Sequence, residues 1–157
     1  MTTWDAVFNC TRCGICCQGV GGIVLAEKDL LRLADHLAMT PETFLQEWTE
    51  RRGRLPSLRA GADGYCVFFA PGLGCSVHAA RPDVCRAWPF FRGNLEDAAS
   101  YEIAREDCPG IAAVAHDAFR EAGLTYLTVH DLATDREDGP NALRVTHLLA
   151  TCRQNRR

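Results

Sequence analysis

The chain has 157 residues, of which 47% are hydrophobic and 24% are charged, and its formal net charge is −3. This composition is typical of a folded protein, and it excludes a disordered chain and a polyanion binder held by bulk charge. No apolar run approaches the roughly 20 residues that span a bilayer, and the first residues lack the features of a secretory signal. We therefore expect a soluble, cytoplasmic protein with a single domain over residues 1–157 and no nucleic-acid or membrane partner.

The first 25 residues are rich in cysteine and glycine. Residues 10–22 read CTRCGICCQGVGG. Glycine permits positive φ and close backbone approach, so this segment is predicted to be a loop wrapped around a compact object. A short strand is predicted next, over residues 23–25.

Two helices follow, and they are predicted to form a hairpin that covers a core. Apolar residues recur at helical spacing over residues 26–39. Thr40 as N-cap and Pro41 at the first helical position predict a second helix, which carries Arg51 and Arg52 in its last turn and ends at Gly53.

The third block holds short strands and turns. Strands are predicted over residues 65–69 and 75–78 on either side of a turn at 71–74. A single helical turn is predicted to begin at Pro82, and a further turn at residues 107–110.

The rest of the chain is predicted to contain two helices and a strand. The first helix covers residues 111–122 and is closed by Gly123, and a strand follows over 125–130. The last helix covers residues 141–151. Together with the hairpin and short strands, these elements predict an α+β fold.

The nine cysteines are the unusual feature of this sequence. Stable disulfides are rare in a reducing compartment, so clustered cysteines favour metal or iron–sulfur ligation, with redox thiols or cysteine packing as alternatives. Cys10, Cys13 and Cys16 are each separated by two residues, a spacing that lets thiols in a loop converge on one centre. Cys17 directs its side chain differently from Cys16, which favours a second site or a larger cluster.

Five cysteines lie further along the chain. Cys66, Cys75, Cys85 and Cys108 are in predicted turns or at strand ends, and they are further candidate ligands. Eight thiolates match two four-cysteine sites, either two clusters or one cluster with zinc, and spacing alone does not divide them. Cys152 lies on the last predicted helix, where it is expected to pack against apolar neighbours.

The combined motif resembles the YkgJ-type cysteine-cluster family of zinc- or iron-chelating CxxCxxCC domains. The resemblance is carried by CTRCGICC at 10–17, Cys66, CSVHAARPDVCRAWP at 75–89 and CPG at 108–110. It covers residues 8–111, the predicted cysteine-cluster core, and leaves residues 112–157 as a C-terminal extension. It implies short strands and loops wrapped around the metal, with eight cysteine ligands: Cys10, Cys13, Cys16, Cys17, Cys66, Cys75, Cys85 and Cys108.

Two further implications come from the same resemblance. Many members of the family carry an aromatic residue where this chain has His78, so the resemblance implies no ligand role for that histidine. Some members are linked to the modification of protein lysines, which implies a protein or peptide as a partner.

The cysteine spacing favours iron–sulfur clusters over zinc. Zinc sites commonly use two C-x2-C pairs, whereas the later cysteines here are separated by eight and nine residues. Three arginines close in sequence to the cysteines are predicted to offset the negative charge of a cluster and to donate hydrogen bonds to sulfur: Arg12, Arg81 and Arg86. We expect one or two clusters of the 4Fe–4S type, with zinc as the alternative.

Two classes of function agree with this sequence. The first is an iron–sulfur protein with a redox or enzymatic role in protein or peptide modification. The second is a structural zinc module that binds another protein. A reversible redox response would indicate the first class, and four-thiolate zinc without such a response would indicate the second.

Overall fold

A computed structural model describes residues 4–18, 22–51, 53–136 and 139–149 of the chain. The chain divides into two compact units. We call Arg12–Arg86 the cysteine unit, and Met1–Thr11 together with Ala87–Arg157 the helical unit. The described residues include helices and short antiparallel strands, so the predicted α+β class is confirmed.

The described residues of the cysteine unit form three helices, two short hairpins and two 3₁₀ turns. Its helices are α1 (Glu27–His36), α2 (Pro41–Trp48) and α3 (Asp83–Ala87), the last of which ends one residue beyond the unit. Its 3₁₀ turns cover Ile15–Cys17 and His78–Ala80. Its antiparallel hairpins pair β1 (Thr49–Arg51) with β2 (Pro56–Leu58) and β3 (Phe69–Ala70) with β4 (Gly74–Cys75).

The predicted helical hairpin is confirmed, but its second helix is shorter than predicted. α1 packs against α2, and the Thr40 hydroxyl accepts a hydrogen bond from the Thr43 amide at 3.2 Å, as an N-cap should. The helix ends at Trp48 and not at residue 52, because Thr49–Arg51 pairs with β2. The prediction that Arg51 lies in the last helical turn is therefore wrong.

Residues 23–25 lie against β2, where Val24 forms an isolated antiparallel bridge with Ser57 in place of the predicted strand. The Leu25 amide donates to the Pro56 carbonyl at 2.9 Å, and the Leu58 amide donates to the Ile23 carbonyl at 2.9 Å. The core beneath them includes Phe44 and Phe68, whose rings stack with centroids 6.3 Å apart. These aromatic side chains form part of the hydrophobic core of the cysteine unit.

The helical unit contains α4 (Arg92–Glu96), α5 (Ala98–Asp107) and α6 (His116–Val129). The sequence analysis did not predict α4 or α5. The N-terminal segment pairs with the segment after α5: the Asn9 amide donates to the Gly110 carbonyl at 3.0 Å. The core of this unit is aromatic and aliphatic, and its fully buried members include Phe90, Leu95, Tyr101, Phe119 and Leu127.

Gly123 does not end a helix, and residues 125–130 do not form a strand. α6 runs through Gly123 to Val129. A Cβ atom at Gly123 would lie 2.6 Å from Cδ1 of Phe90 and 2.8 Å from Cδ2 of Leu95. The glycine is therefore a close-packing residue inside the helix, and the prediction of a helix stop followed by a strand is wrong.

The C-terminal prediction is only partly covered by the structure. A 3₁₀ turn occupies Asn141–Leu143, and residues 146–149 are helical. The rest of the predicted helix, with Cys152, lies outside the described residues. Among the described residues, the helices are too short or too polar to cross a bilayer.

Candidate metal centre

The CxxCxxCC loop is held against the segment that carries Cys66. The Cys66 amide donates to the Cys17 carbonyl at 2.6 Å, and the Gln18 side-chain amide donates to the Tyr65 hydroxyl at 2.7 Å. Gly14 makes this approach possible, because it has φ 85° and a Cβ atom there would collide with the Phe69 ring. The backbone thus places the Cys16–Cys17 pair next to Cys66.

Two further thiols come from other elements of the same unit. Cys75 is the last residue of β4, opposite Phe69 of β3, and Cys85 is the third residue of α3. Each of these sulfurs interacts electrostatically with at least three of the others. We call this set the thiol group: Cys16, Cys17, Cys66, Cys75 and Cys85.

Cys16 is the thiol in this group that ionises most readily. The Cys17 thiol donates a hydrogen bond to it and, with a smaller contribution from Arg81, lowers the pKa of Cys16 to about 7. The same hydrogen bond raises the pKa of Cys17 far above its ordinary value. Since the thiolate is the form that binds metal, Cys16 is the first available ligand near neutral pH.

Burial and mutual repulsion keep the other thiols protonated. Burial raises the pKa of Cys66, Cys75 and Cys85, and the charge on neighbouring sulfurs raises it further. A cation bound among these sulfurs would reverse that repulsion and displace their protons. Metal affinity at this group should therefore rise with pH.

Two of the three predicted arginines act electrostatically on the thiol group. Arg81 helps to lower the pKa of Cys16 and partly offsets the raised pKa of Cys75 and Cys85, and Arg12 has the same offsetting effect on Cys75. Arg86 follows Cys85 directly in the chain, and its guanidinium lies 3.4 Å from a carboxylate oxygen of Asp83. Arg12 and Arg81 therefore contribute positive charge near the sulfurs, and the role of Arg86 stays a prediction.

His78 lies beside Arg81 in the 3₁₀ turn before α3. The Arg81 guanidinium donates to the His78 carbonyl at 3.0 Å and lies 3.2 Å from its ring nitrogens. Burial and the positive charges of Arg81 and Arg12 lower the pKa of His78. The imidazole is thus neutral at pH 7.

The remaining motif cysteines are described within their own units. Cys13 is exposed in the loop of the cysteine unit. In the helical unit, Cys10 follows Asn9 and Cys108 precedes Pro109, on two segments that the hydrogen bond from Asn9 to Gly110 holds side by side. Cys108 is buried, and its carbonyl accepts from the Ile111 amide at 3.2 Å.

The donor set fits a thiolate-bound metal, although its sulfurs are not gathered around one point. Across the described ranges, no three Cys, His, Asp or Glu side chains stand in an arrangement that would hold a single metal ion. The chemistry nevertheless suits a soft or borderline metal, because the thiol group includes a sulfur with a pKa of about 7 and interacts with arginine cations.

The sequence analysis missed a buried ionic network that supports Cys85. Asp29 of α1 and Asp83 of α3 are 0% and 2% exposed, and the Asp83 amide donates to Asp29 Oδ1 at 3.0 Å. Lys28 Nζ lies 2.7 Å from Asp83, and Arg32 reaches both carboxylates at 3.1–3.2 Å. From the sequence alone, Asp29 is recognisable only as an acidic residue in the first turn of a helix, where negative charge is favourable.

Comparison with known proteins identifies the family of this chain. A family model named CxxCxxCC, with the description "Putative zinc- or iron-chelating domain", matches residues 9–109. This range includes every motif cysteine from Cys10 to Cys108 and excludes Cys152. Searches of curated proteins and of solved structures gave no match. Since the model covers well over half of the residues, the chain belongs to the CxxCxxCC family.

Proposed function

We propose that the protein binds one or two iron–sulfur clusters of the 4Fe–4S type and uses them in a redox or enzymatic step of protein or peptide modification. The observation that supports this most is the thiol group, in which cysteines from four chain segments interact electrostatically with one another and with Arg12 and Arg81. The proposed ligands are the eight motif cysteines: Cys10, Cys13, Cys16, Cys17, Cys66, Cys75, Cys85 and Cys108.

The number and the sequence spacing of the cysteines support a cluster over a single ion. Zinc sites commonly use two C-x2-C pairs, whereas the later motif cysteines here are separated by eight and nine residues. Eight motif cysteines also match two four-cysteine clusters, in which each cysteine binds its own iron.

The side chains around the sulfurs have distinct tasks in this proposal. A bound cluster supplies one-electron transfer or an open iron position for a substrate. Arg12 and Arg81 offset the negative charge of the thiolates, and Arg81 donates a hydrogen bond to the carbonyl of His78. These residues set how stable each charge state of the centre is.

A structural zinc module that binds a protein partner is the second candidate. The family description is compatible with zinc, because it names zinc beside iron. Cys16, Cys66, Cys75 and Cys85 then supply four thiolates to one ion after a local rearrangement of the loop. Such a centre is colourless, and its zinc ion has no redox chemistry of its own.

Serine substitutions test the thiol group as the metal site. We expect Cys75→Ser and Cys66→Ser to lower the bound metal per chain well below that of the parent protein, since each removes a ligand. Cys152→Ser is the matched control, because it lies outside the family match, and it should keep the parental metal content. The proposal fails if Cys152→Ser loses the metal while Cys75→Ser retains it, as measured by elemental analysis of anaerobically purified protein.

A further inference from the structure

Two side chains of α1 form hydrogen bonds with the backbone of the segment that carries Arg81 and Cys85. We call these two contacts the clamp. The guanidinium of Arg32 donates to the Arg81 carbonyl at 3.0 Å. Asp29 accepts a hydrogen bond from the Asp83 amide at 3.0 Å. The three-residue stretch 81–83 is thus fixed at both ends before α3 begins.

The clamp is itself rigid. Asp29 Oδ2 also accepts from the Ala26 amide at 2.9 Å, so the start of α1 holds the carboxylate in place. Arg32 bridges Asp29 and Asp83 at 3.2 Å and 3.1 Å, which orients its guanidinium toward the Arg81 carbonyl. A buried pair of like charges requires such cationic partners, since burial raises the pKa of Asp29 and the charge of Asp83 adds to that shift.

We propose that Asp29 and Arg32 are positioning residues of the metal centre, which hold residues 81–83 so that Arg81 and Cys85 face the same thiol group. This inference rests on the proposed metal binding and adds residues outside the cysteine motif to it. Both residues lie on α1, and neither supplies a ligand. Their role is to limit the freedom of α3, so that Cys85 does not lose orientation entropy on binding metal.

Lys28 provides a matched control for Arg32. Both cations bind Asp83. The Lys28 side chain is 59% exposed, whereas Arg32 is partly buried and also donates a hydrogen bond to the Arg81 carbonyl. Arg32→Gln and Lys28→Gln therefore change the net charge equally and remove a contact to the same carboxylate. The two variants differ in the hydrogen bond to the Arg81 carbonyl, which is lost in Arg32→Gln.

Cadmium titration under anaerobic conditions distinguishes a positioning role of Arg32 from an effect of its charge alone. Thiolate-to-cadmium absorption, measured against a competing chelator, should show a 10- to 100-fold loss of affinity in Arg32→Gln. Lys28→Gln should stay within about twofold, and alkylation of Cys85 in the metal-free protein should become faster only in Arg32→Gln. If Arg32→Gln does not fold, Asp29→Asn is compared in the same way with Asp35→Asn, an exposed acid on the same helix.

The outcomes distinguish this inference from the proposed function. Equal affinities in Arg32→Gln and Lys28→Gln, with an altered melting temperature alone, would overturn the positioning role and leave metal binding intact. A parent protein that takes up neither cadmium nor iron would overturn the proposed function itself.

Discussion

The acidity of Cys16 gives the thiol group its first charge. Because the hydrogen bond from Cys17 lowers the pKa of Cys16 to about 7, its thiolate fraction should rise as pH rises through 7 and level off above about pH 8. In metal-free protein we expect Cys16 to be the fastest of the thiol group to react with iodoacetamide at pH 7. Mass spectrometry of peptides, taken over a pH series, measures each rate.

Cys17→Ala is the control for that profile. It removes the donor, so the midpoint for Cys16 should move upward by one unit or more, toward the ordinary thiol value. An unchanged midpoint in Cys17→Ala would show that the hydrogen bond is not the cause of the acidity.

At the residue scale, the sequence predicted the cysteines of the candidate site. It did not predict the buried acidic residues beside them. Cysteine is rare enough that nine of them in one chain indicate a metal centre. Asp29 and Asp83 were not recognised, because acids at helix starts are common and nothing local shows that two of them are buried together. Their pairing depends on α1 meeting α3, which is a tertiary event.

Gly123 tests the packing of α6 at the scale of elements. Gly123→Ala should lower the free energy of unfolding by about 1–3 kcal/mol, because the added methyl group overlaps Phe90 and Leu95. Gly93→Ala in α4 is the control, since a Cβ atom there meets nothing within 4 Å. It should stabilise by about 0.5–1 kcal/mol through helix propensity. Urea titration measures both, and equal effects of the two changes would contradict this view of α6.

Gly14 tests the approach of the cysteine loop to β3. Gly14→Ala combines a strained positive φ with a collision against the Phe69 ring, so we expect it to lower the metal content as well as the stability. Gly72→Ala has the same kind of strain, φ 78°, with open space around the added methyl group. It should cost about 1 kcal/mol and keep the metal. Metal loss of equal size in both variants would exclude the contact with Phe69 as the cause.

The elements that the sequence predicted correctly are those with local signals. The Thr40 cap and Pro41 mark the start of α2 because both act within one helical turn. The end of α2 at Trp48 and the course of α6 through Gly123 depend on partners distant in sequence, β2 and Phe90. Periodicity and turn residues cannot predict such partners.

For the whole molecule, we predict that metal binding and folding are linked. The CxxCxxCC loop buries little apolar surface of its own, since Cys13, Ile15 and Cys16 are exposed, so ligation must offset its conformational entropy. Cys13→Ser or Cys85→Ser should therefore lower the metal content and the melting temperature together. A variant that keeps full metal and the parental melting curve would remove that cysteine from the ligand set.

The two units of the chain divide the eight motif cysteines between them. Cys10 and Cys108 belong to the helical unit, and the other six motif cysteines belong to the cysteine unit. One domain over residues 1–157 was expected from length alone, and this stays a prediction. Sequence spacing did not apportion the eight cysteines, because their grouping arises from hairpins and turns that bring distant segments together.

The central claim is that these thiols bind an iron–sulfur cluster. Anaerobic purification followed by iron, zinc and acid-labile sulfide analysis, together with an absorption spectrum, tests it most directly. We predict brown protein with iron and sulfide in equal amounts and broad sulfur-to-iron absorption that bleaches on reduction. Colourless protein that holds stoichiometric zinc and takes up no iron, even after cluster reconstitution, would contradict this account.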